Sequence, residues 1–267
     1  INYSNYVYAI NFYTPILFFF FKYFFGKDFE TLNYILTYSL TNIFISIFAI
    51  NSRNIILSSK SSEELNSFII FRIFISLILI LTFFILNNFF DLIYLNVQII
   101  IFILGLWIGE LFIVKLDIEN QNKKTNLLFF FQIILLLLSF ILLFAGVSFA
   151  FVIINHILLL FLFLFLQNII KVDLSYKLHY FKIFINQSYF FSNLFSTFFI
   201  FFSIFMIRWI VSINFENILS LDIIMCFTLA TFPSTLMINT YGNNYISGRA
   251  NIPFYAKFIF IIYFIIL

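Results

Sequence analysis

Long runs of Phe, Ile and Leu alternate along the whole chain with short clusters of charged and turn-forming residues. With those clusters as boundaries, apolar segments fall at 7–25, 32–50, 67–88, 92–114, 127–145, 149–170, 188–210, 222–241 and 253–267. A helix needs roughly 18 or more apolar residues to cross a hydrocarbon core of ~30 Å. The pattern therefore predicts eight full transmembrane helices and the start of a ninth. No alternation of period two is present to suggest a membrane barrel. The last segment stops at Leu267 short of spanning length, and the chain opens on Ile1 without an initiator Met, so we read the sequence as truncated at its C-terminus. The first segment is long enough to be a true span rather than a cleavable leader.

The polar clusters orient the helices. Connections after even-numbered spans hold Arg53, Lys60, Arg72, Lys115, Lys123, Lys124, Lys171, Lys177, Lys182, Arg249 and Lys257. Those after odd-numbered spans hold only Lys22, Lys27 and Arg208. Cytoplasmic loops carry the excess of Lys and Arg, which puts the N-terminus and the even connections in the cytoplasm. One such connection, AINSRNIILSSKSSEELNSFIIFRIF at 49–74, breaks an otherwise continuous apolar chain. Its Ser61 is spaced to accept from the amide of Glu64 while Glu64 reaches back, a capping box that would start span three. Arg72 then lies about five residues into the apolar part, roughly 7 Å below the interface.

Polar residues within spans mark helix contacts or a water-filled cavity, because lipid does not solvate them. Ser39, Asn42 and Ser46 share a face of span two. Thr228, Thr231, Thr235 and Asn239 share a face of span eight, beside Pro233. Span seven carries Ser192, Ser196 and Ser203, with Asn193 and Thr197 nearby, and span one carries Asn11, Tyr13 and Thr14 before Pro15. Span five offers one Gln and one Ser in LLFFFQIILLLLSFILLF, and span six only Asn155 and His156. Polar stripes on spans one, two, seven and eight fit a hydrophilic cavity shared between two helical halves. The same residues could instead bond back to their own helices or pack at dry contacts. Snorkelling towards the interface accounts for Arg208, Arg72 and Lys22. Glu110 could pair with Lys115 or meet headgroups, and His156 reads as a buried, hydrogen-bonded histidine.

Composition narrows the chemistry. Hydrophobic residues make up 64% of the chain and charged residues 9%, with a net charge of +3, far from the roughly 25% charge of a soluble domain. With 46 Phe, an aromatic face is ordinary here and does not define a ligand box. The single Cys226 excludes an internal disulfide and a multi-cysteine metal site. Neither a Walker loop, GxSxG nor HExxH is present, and no loop holds paired Asp for a metal. We expect no catalytic residue, no metal and no cofactor, and a transporter or structural membrane subunit rather than an enzyme.

Several segments carry a resemblance. KYFFGKDFETLNYILTYSLTNIF at 22–44 is similar to the first hairpin of polysaccharide flippases of the Wzx/RfbX type, in the multidrug and oligosaccharidyl-lipid exporter superfamily. NSRNIILS after span two, LWIGELFIVKLDIENQNKKTNLLFFFQ at 106–132 and FMIRWIVSINFENILSLDIIMCF at 205–227 resemble that family's cytoplasmic Arg turn, its connection between helices four and five, and its seventh and eighth helices. Arg208 departs from the family's Asp-Arg pair, since Ile207 precedes it. The resemblance implies an all-α polytopic membrane protein with the MATE-like flippase fold. Residues 1–170 would form an N-terminal six-helix lobe, residues 171–267 the start of a second, and the first, second, seventh and eighth helices would line the cavity.

The implied substrate is an undecaprenyl-diphosphate-linked oligosaccharide, flipped across a bacterial cytoplasmic membrane by alternating access. Arg53 and Arg72 are then the candidates for diphosphate contact, since guanidinium suits phosphate geometry. Asn42, Ser46, Thr231, Thr235 and Asn239 are candidates for sugar contact, and Ser39, Thr228 and Arg208 complete the cavity set. Implied partners are the lipid-linked oligosaccharide, membrane lipids, and polysaccharide polymerase and chain-length proteins, without nucleic acid. Three alternatives stay open at this point: a mitochondrially encoded respiratory-chain subunit, an oligosaccharide polymerase and a drug exporter of the same superfamily.

Overall fold

A computed structural model describes residues 4–26, 28–49, 62–90, 96–170 and 189–237. They form eight helices: α1 (Ser4–Phe24), α2 (Asp28–Ala49), α3 (Ser62–Phe90), α4 (Val97–Ile118), α5 (Asn122–Phe144), α6 (Phe149–Leu166), α7 (Tyr189–Asn214) and α8 (Asn217–Met237). Six of them, α2 to α7, are long and apolar enough to cross a membrane. The protein is an all-α polytopic membrane protein. The expected segment 253–267 and the connection 50–61, which contains Ser61 and its capping box, lie outside the described residues.

Helix ends run past the apolar segments wherever polar residues can cap or solvate the last turn. α3 starts at Ser62, five residues before the apolar run, and α8 at Asn217 rather than 222. α4 does the opposite. It starts at Val97 rather than 92 because Asn96 is its N-cap, accepting from the Ile99 amide at 3.1 Å. The Asn96 amide in turn donates to Thr37 Oγ1 on α2 at 3.1 Å, which pins the start of α4 to α2. Gly26, at φ +70°, ends α1 with its amide on the Tyr23 carbonyl, the left-handed stop that glycine takes without strain.

α4 is the centre of the bundle. It is the most buried of the spans, and α1, α2, α3, α5 and α6 all pack on it. The remaining pair, α7 and α8, packs on α2 and on itself. Phe18 of α1 lies within about 6 Å, centroid to centroid, of Phe102, Phe140, Phe149 and His156, mostly edge to face. These aromatics fill the core between α1, α4, α5 and α6, which is packing rather than a binding face.

Two glycines let α6 approach α4. A Cβ on Gly105 would sit 3.1 Å from both Cδ1 and Cγ2 of Ile157, whereas one on Gly109 would meet only Leu160 Cδ2 at 3.9 Å. Small residues four apart are a common means of close helix approach in lipid, where packing replaces the hydrophobic drive. Gly105→Leu should lower the thermal midpoint of the detergent-solubilised protein, by an overpacking cost of about 1–3 kcal/mol. Gly109→Ala should leave it within about 0.5 kcal/mol. Equal midpoints for the two variants would refute the close α4–α6 contact.

Candidate functional site

Two groups of polar side chains occupy the interior, and they differ in how they are satisfied. The first lies inside the bundle of α1 to α6. Arg72 of α3 is buried at 1% exposure, and its Nη1 donates to Glu110 Oε2 at 2.8 Å and to the Trp107 carbonyl, both on α4. The guanidinium also lies 4.8 Å from the centre of the Trp107 ring, within range of a cation–π contact. Arg72 therefore does not snorkel, and Glu110 takes Arg72 rather than turning to the headgroups. A charge this deep is costly unless a carboxylate neutralises it and further hydrogen bonds complete its shell. Lys115 instead donates to the Ile169 carbonyl at 3.1 Å.

Other polar residues of this bundle are also matched in pairs. Gln132 Nε2 of α5 donates to Asn11 Oδ1 of α1. The Ser139 hydroxyl donates to the Leu135 carbonyl at 2.8 Å, and its oxygen lies 3.1 Å from His156 Nδ1. With the hydroxyl proton committed to Leu135, the imidazole must be the donor, so His156 is the Nδ1–H tautomer. It is a buried, hydrogen-bonded histidine, as the sequence suggested. Between α1, α2 and α4 a small cavity of about 40 Å³ is lined by Asn11, Pro15, Tyr38, Asn42, Trp107 and Glu110. That is room for a water. Pro15 has no amide proton, so the Asn11 carbonyl beside this cavity lacks its helical donor.

The second group joins α2, α7 and α8. Arg208 of α7 turns inward. Its Nη1 donates to Ser39 Oγ on α2, and its Nη2 to Thr228 Oγ1 on α8 at 3.2 Å. Ser39 and Thr228 have already donated their own protons to the carbonyls of Ile35 and Ile224, each at 2.8 Å. Their lone pairs are left facing the guanidinium. Tyr38 lies beside it and, with Ile16, Phe19, Ile35, Met225 and Thr228, encloses a void of about 10 Å³. No carboxylate among the described residues pairs with Arg208. This is not the snorkelling arginine expected at the outer end of span seven, because three helices converge on its head group.

Ser39 and Thr228, from the stripes of spans two and eight, thus meet at Arg208 of span seven. Asn42 lines the cavity within the first bundle, and Ser46 is half-buried on α2. Thr231 and Thr235 lie on α8, but their side chains are outside the described residues, as are Arg53 and Asn239 entirely. Ser203 is exposed and donates to the Phe199 carbonyl of its own helix at 2.7 Å.

Sequence reasoning missed Tyr38, which lines both voids, and the pair Tyr23–Asp222. The Tyr23 hydroxyl at the end of α1 donates to Asp222 Oδ1 near the start of α8 at 2.6 Å. The usable signal was positional, since both residues border connections that follow odd-numbered spans. Comparison with family models, with curated proteins and with solved structures finds no match to this chain.

The two groups differ in what satisfies the cation. Removing one partner of a buried ion pair leaves an uncompensated charge, at about 3–5 kcal/mol. A single hydrogen bond to a charged group contributes about 1.5–3 kcal/mol, and an exposed one less. The Arg72–Glu110 pair joins α3 to α4 through opposite charges, whereas Arg208 is held by neutral hydroxyls of α2 and α8. Glu110→Leu and Arg72→Met should each destabilise the protein by about 3–5 kcal/mol in a denaturation series, and the double variant should recover most of the loss. Additive losses in the double variant would show that the two side chains do not depend on each other.

Proposed function

We propose that the protein is a transporter that moves an anionic lipid-linked substrate, an undecaprenyl-diphosphate-linked oligosaccharide, across a bacterial cytoplasmic membrane by alternating access. The observation that supports this reading most is Arg208. It is a cation turned into the junction of α1, α2, α7 and α8 and held by neutral hydroxyls, with no carboxylate partner among the described residues. Those four helices carry the polar stripes, and the resemblance to the flippases has them line the central cavity.

An intramembrane cation with only hydroxyl ligands has capacity left for an anion. Guanidinium offers a planar fork of donors that matches phosphate oxygens. Arg72 has its Nη1 committed to Glu110 and Trp107, so the diphosphate role falls on Arg208 rather than on Arg72. Neutral acceptors and donors such as Asn42, Tyr38 and Thr228 suit sugar hydroxyls, and the polyprenyl tail can remain in lipid. Export of cationic drugs within the same fold would favour a carboxylate where Arg208 stands.

The test is binding of undecaprenyl diphosphate and its flipping by the full-length protein in proteoliposomes. Arg208→Met should weaken binding about 10- to 100-fold, the loss expected for one or two charge-assisted hydrogen bonds. Arg208→Lys should recover part of it, because a point charge lacks the fork. Unchanged affinity in Arg208→Met, at equal protein folding, would remove the reading.

A further inference from the structure

The α7–α8 hairpin is stitched into one body at its turn. Ser220, fully buried, donates its hydroxyl towards the carbonyls of Val211 and Phe215 at 3.1 and 3.0 Å, and its amide bonds the Glu216 carbonyl at 2.8 Å. The hairpin packs on the first bundle chiefly through α2. Its described side-chain hydrogen bonds to that bundle are those of Asp222 with Tyr23 and of Arg208 with Ser39. Asp222 and Arg208 sit on different helices of the hairpin. Their partners sit on α1 and α2. The turn of this hairpin and the α1–α2 turn meet at the same end of the molecule, where Gly26, Asp28, Glu30, Glu216 and Asn217 border an open depression.

We infer that Tyr23–Asp222 and Arg208–Ser39 form a two-point latch that holds the α7–α8 hairpin shut against α1 and α2 at this end. The Arg72–Glu110 joint inside the bundle is buried and charge-paired, whereas the latch uses a half-exposed phenol–carboxylate bond and a neutral hydroxyl. When an interface must part, the one whose polar groups can exchange to water or to a ligand parts first. Tyr23 can pass to water at the mouth, and Arg208 can pass from Ser39 to an anion. The first exchange opens the depression inward towards Met225 and Thr228. The second rests on the transporter reading above, while the opening does not.

The test reads opening alone. In a Cys226→Ser background, Met225→Cys places a thiol at a buried position beside Arg208, and its alkylation by a small charged reagent is timed on the full-length protein in detergent. Tyr23→Phe and Asp222→Ala should each raise the rate about fivefold, the population shift expected from one lost hydrogen bond. Asp222→Asn, which keeps an acceptor for the phenol, should stay near the parent rate. A thiol at Leu160, buried in α6, should react no faster in any of these backgrounds. An unchanged rate at position 225 in both Tyr23→Phe and Asp222→Ala overturns the latch. So does an equal rise at position 160, which would mean general loosening. Loss of substrate flipping with the latch pattern intact would count against the transported substrate and leave the latch standing.

Discussion

Lipid supplies no hydrogen bonds, so every polar group that the chain carries into the membrane must find its partner within the protein. The buried Arg72–Glu110 pair is the most demanding case, and much of the first bundle is arranged around it. Glu110 must lie on a helix that lipid does not reach, and α4 is that helix, surrounded by α1, α2, α3, α5 and α6. The Arg must come from a helix that can lean on α4 with its long side chain directed inward, and α3 does so while its other face remains lipid-exposed. Gly105 then lets α6 pack closely on α4, with Ile157 against it.

The same constraint explains why polar contacts are not equivalent across the molecule. Within the first bundle they are enclosed: guanidinium with carboxylate, amide with amide, hydroxyl with imidazole. Between that bundle and the α7–α8 hairpin they are one-sided, with a cation leaning on hydroxyls whose protons are already engaged. A one-sided contact can be replaced, by water at the mouth or by an anion deeper in, at small net cost.

Much of the architecture was legible in the chain. Hydropathy and charge clusters placed the helices, because a membrane span needs a length of apolar sequence that little else requires. Their ends were read less well. Asn96 as a cap moved the start of α4, and polar residues of the interface carried α3 and α8 beyond their apolar cores. For the candidate site, stripe periodicity found Ser39 and Thr228, since residues three, four and seven apart share a face, whereas Arg208 read as a snorkelling residue. It could not find Tyr38 or the Tyr23–Asp222 pair, which have no periodic signature and acquire meaning only from residues on other helices.

What the sequence determined by itself is a helical, multi-pass membrane protein with polar residues concentrated on particular helices. That follows from local properties, hydrophobicity and helical period, which each segment carries alone. What only the tertiary structure decided is which charges neutralise each other. Arg72 and Arg208 are the same residue type at similar apolar positions, yet one faces Glu110 across a helix contact and the other meets only hydroxyls. The packing of α3 on α4, and of α7 on α2, makes that difference, because charge pairing depends on a few ångströms between helices and not on order along the chain.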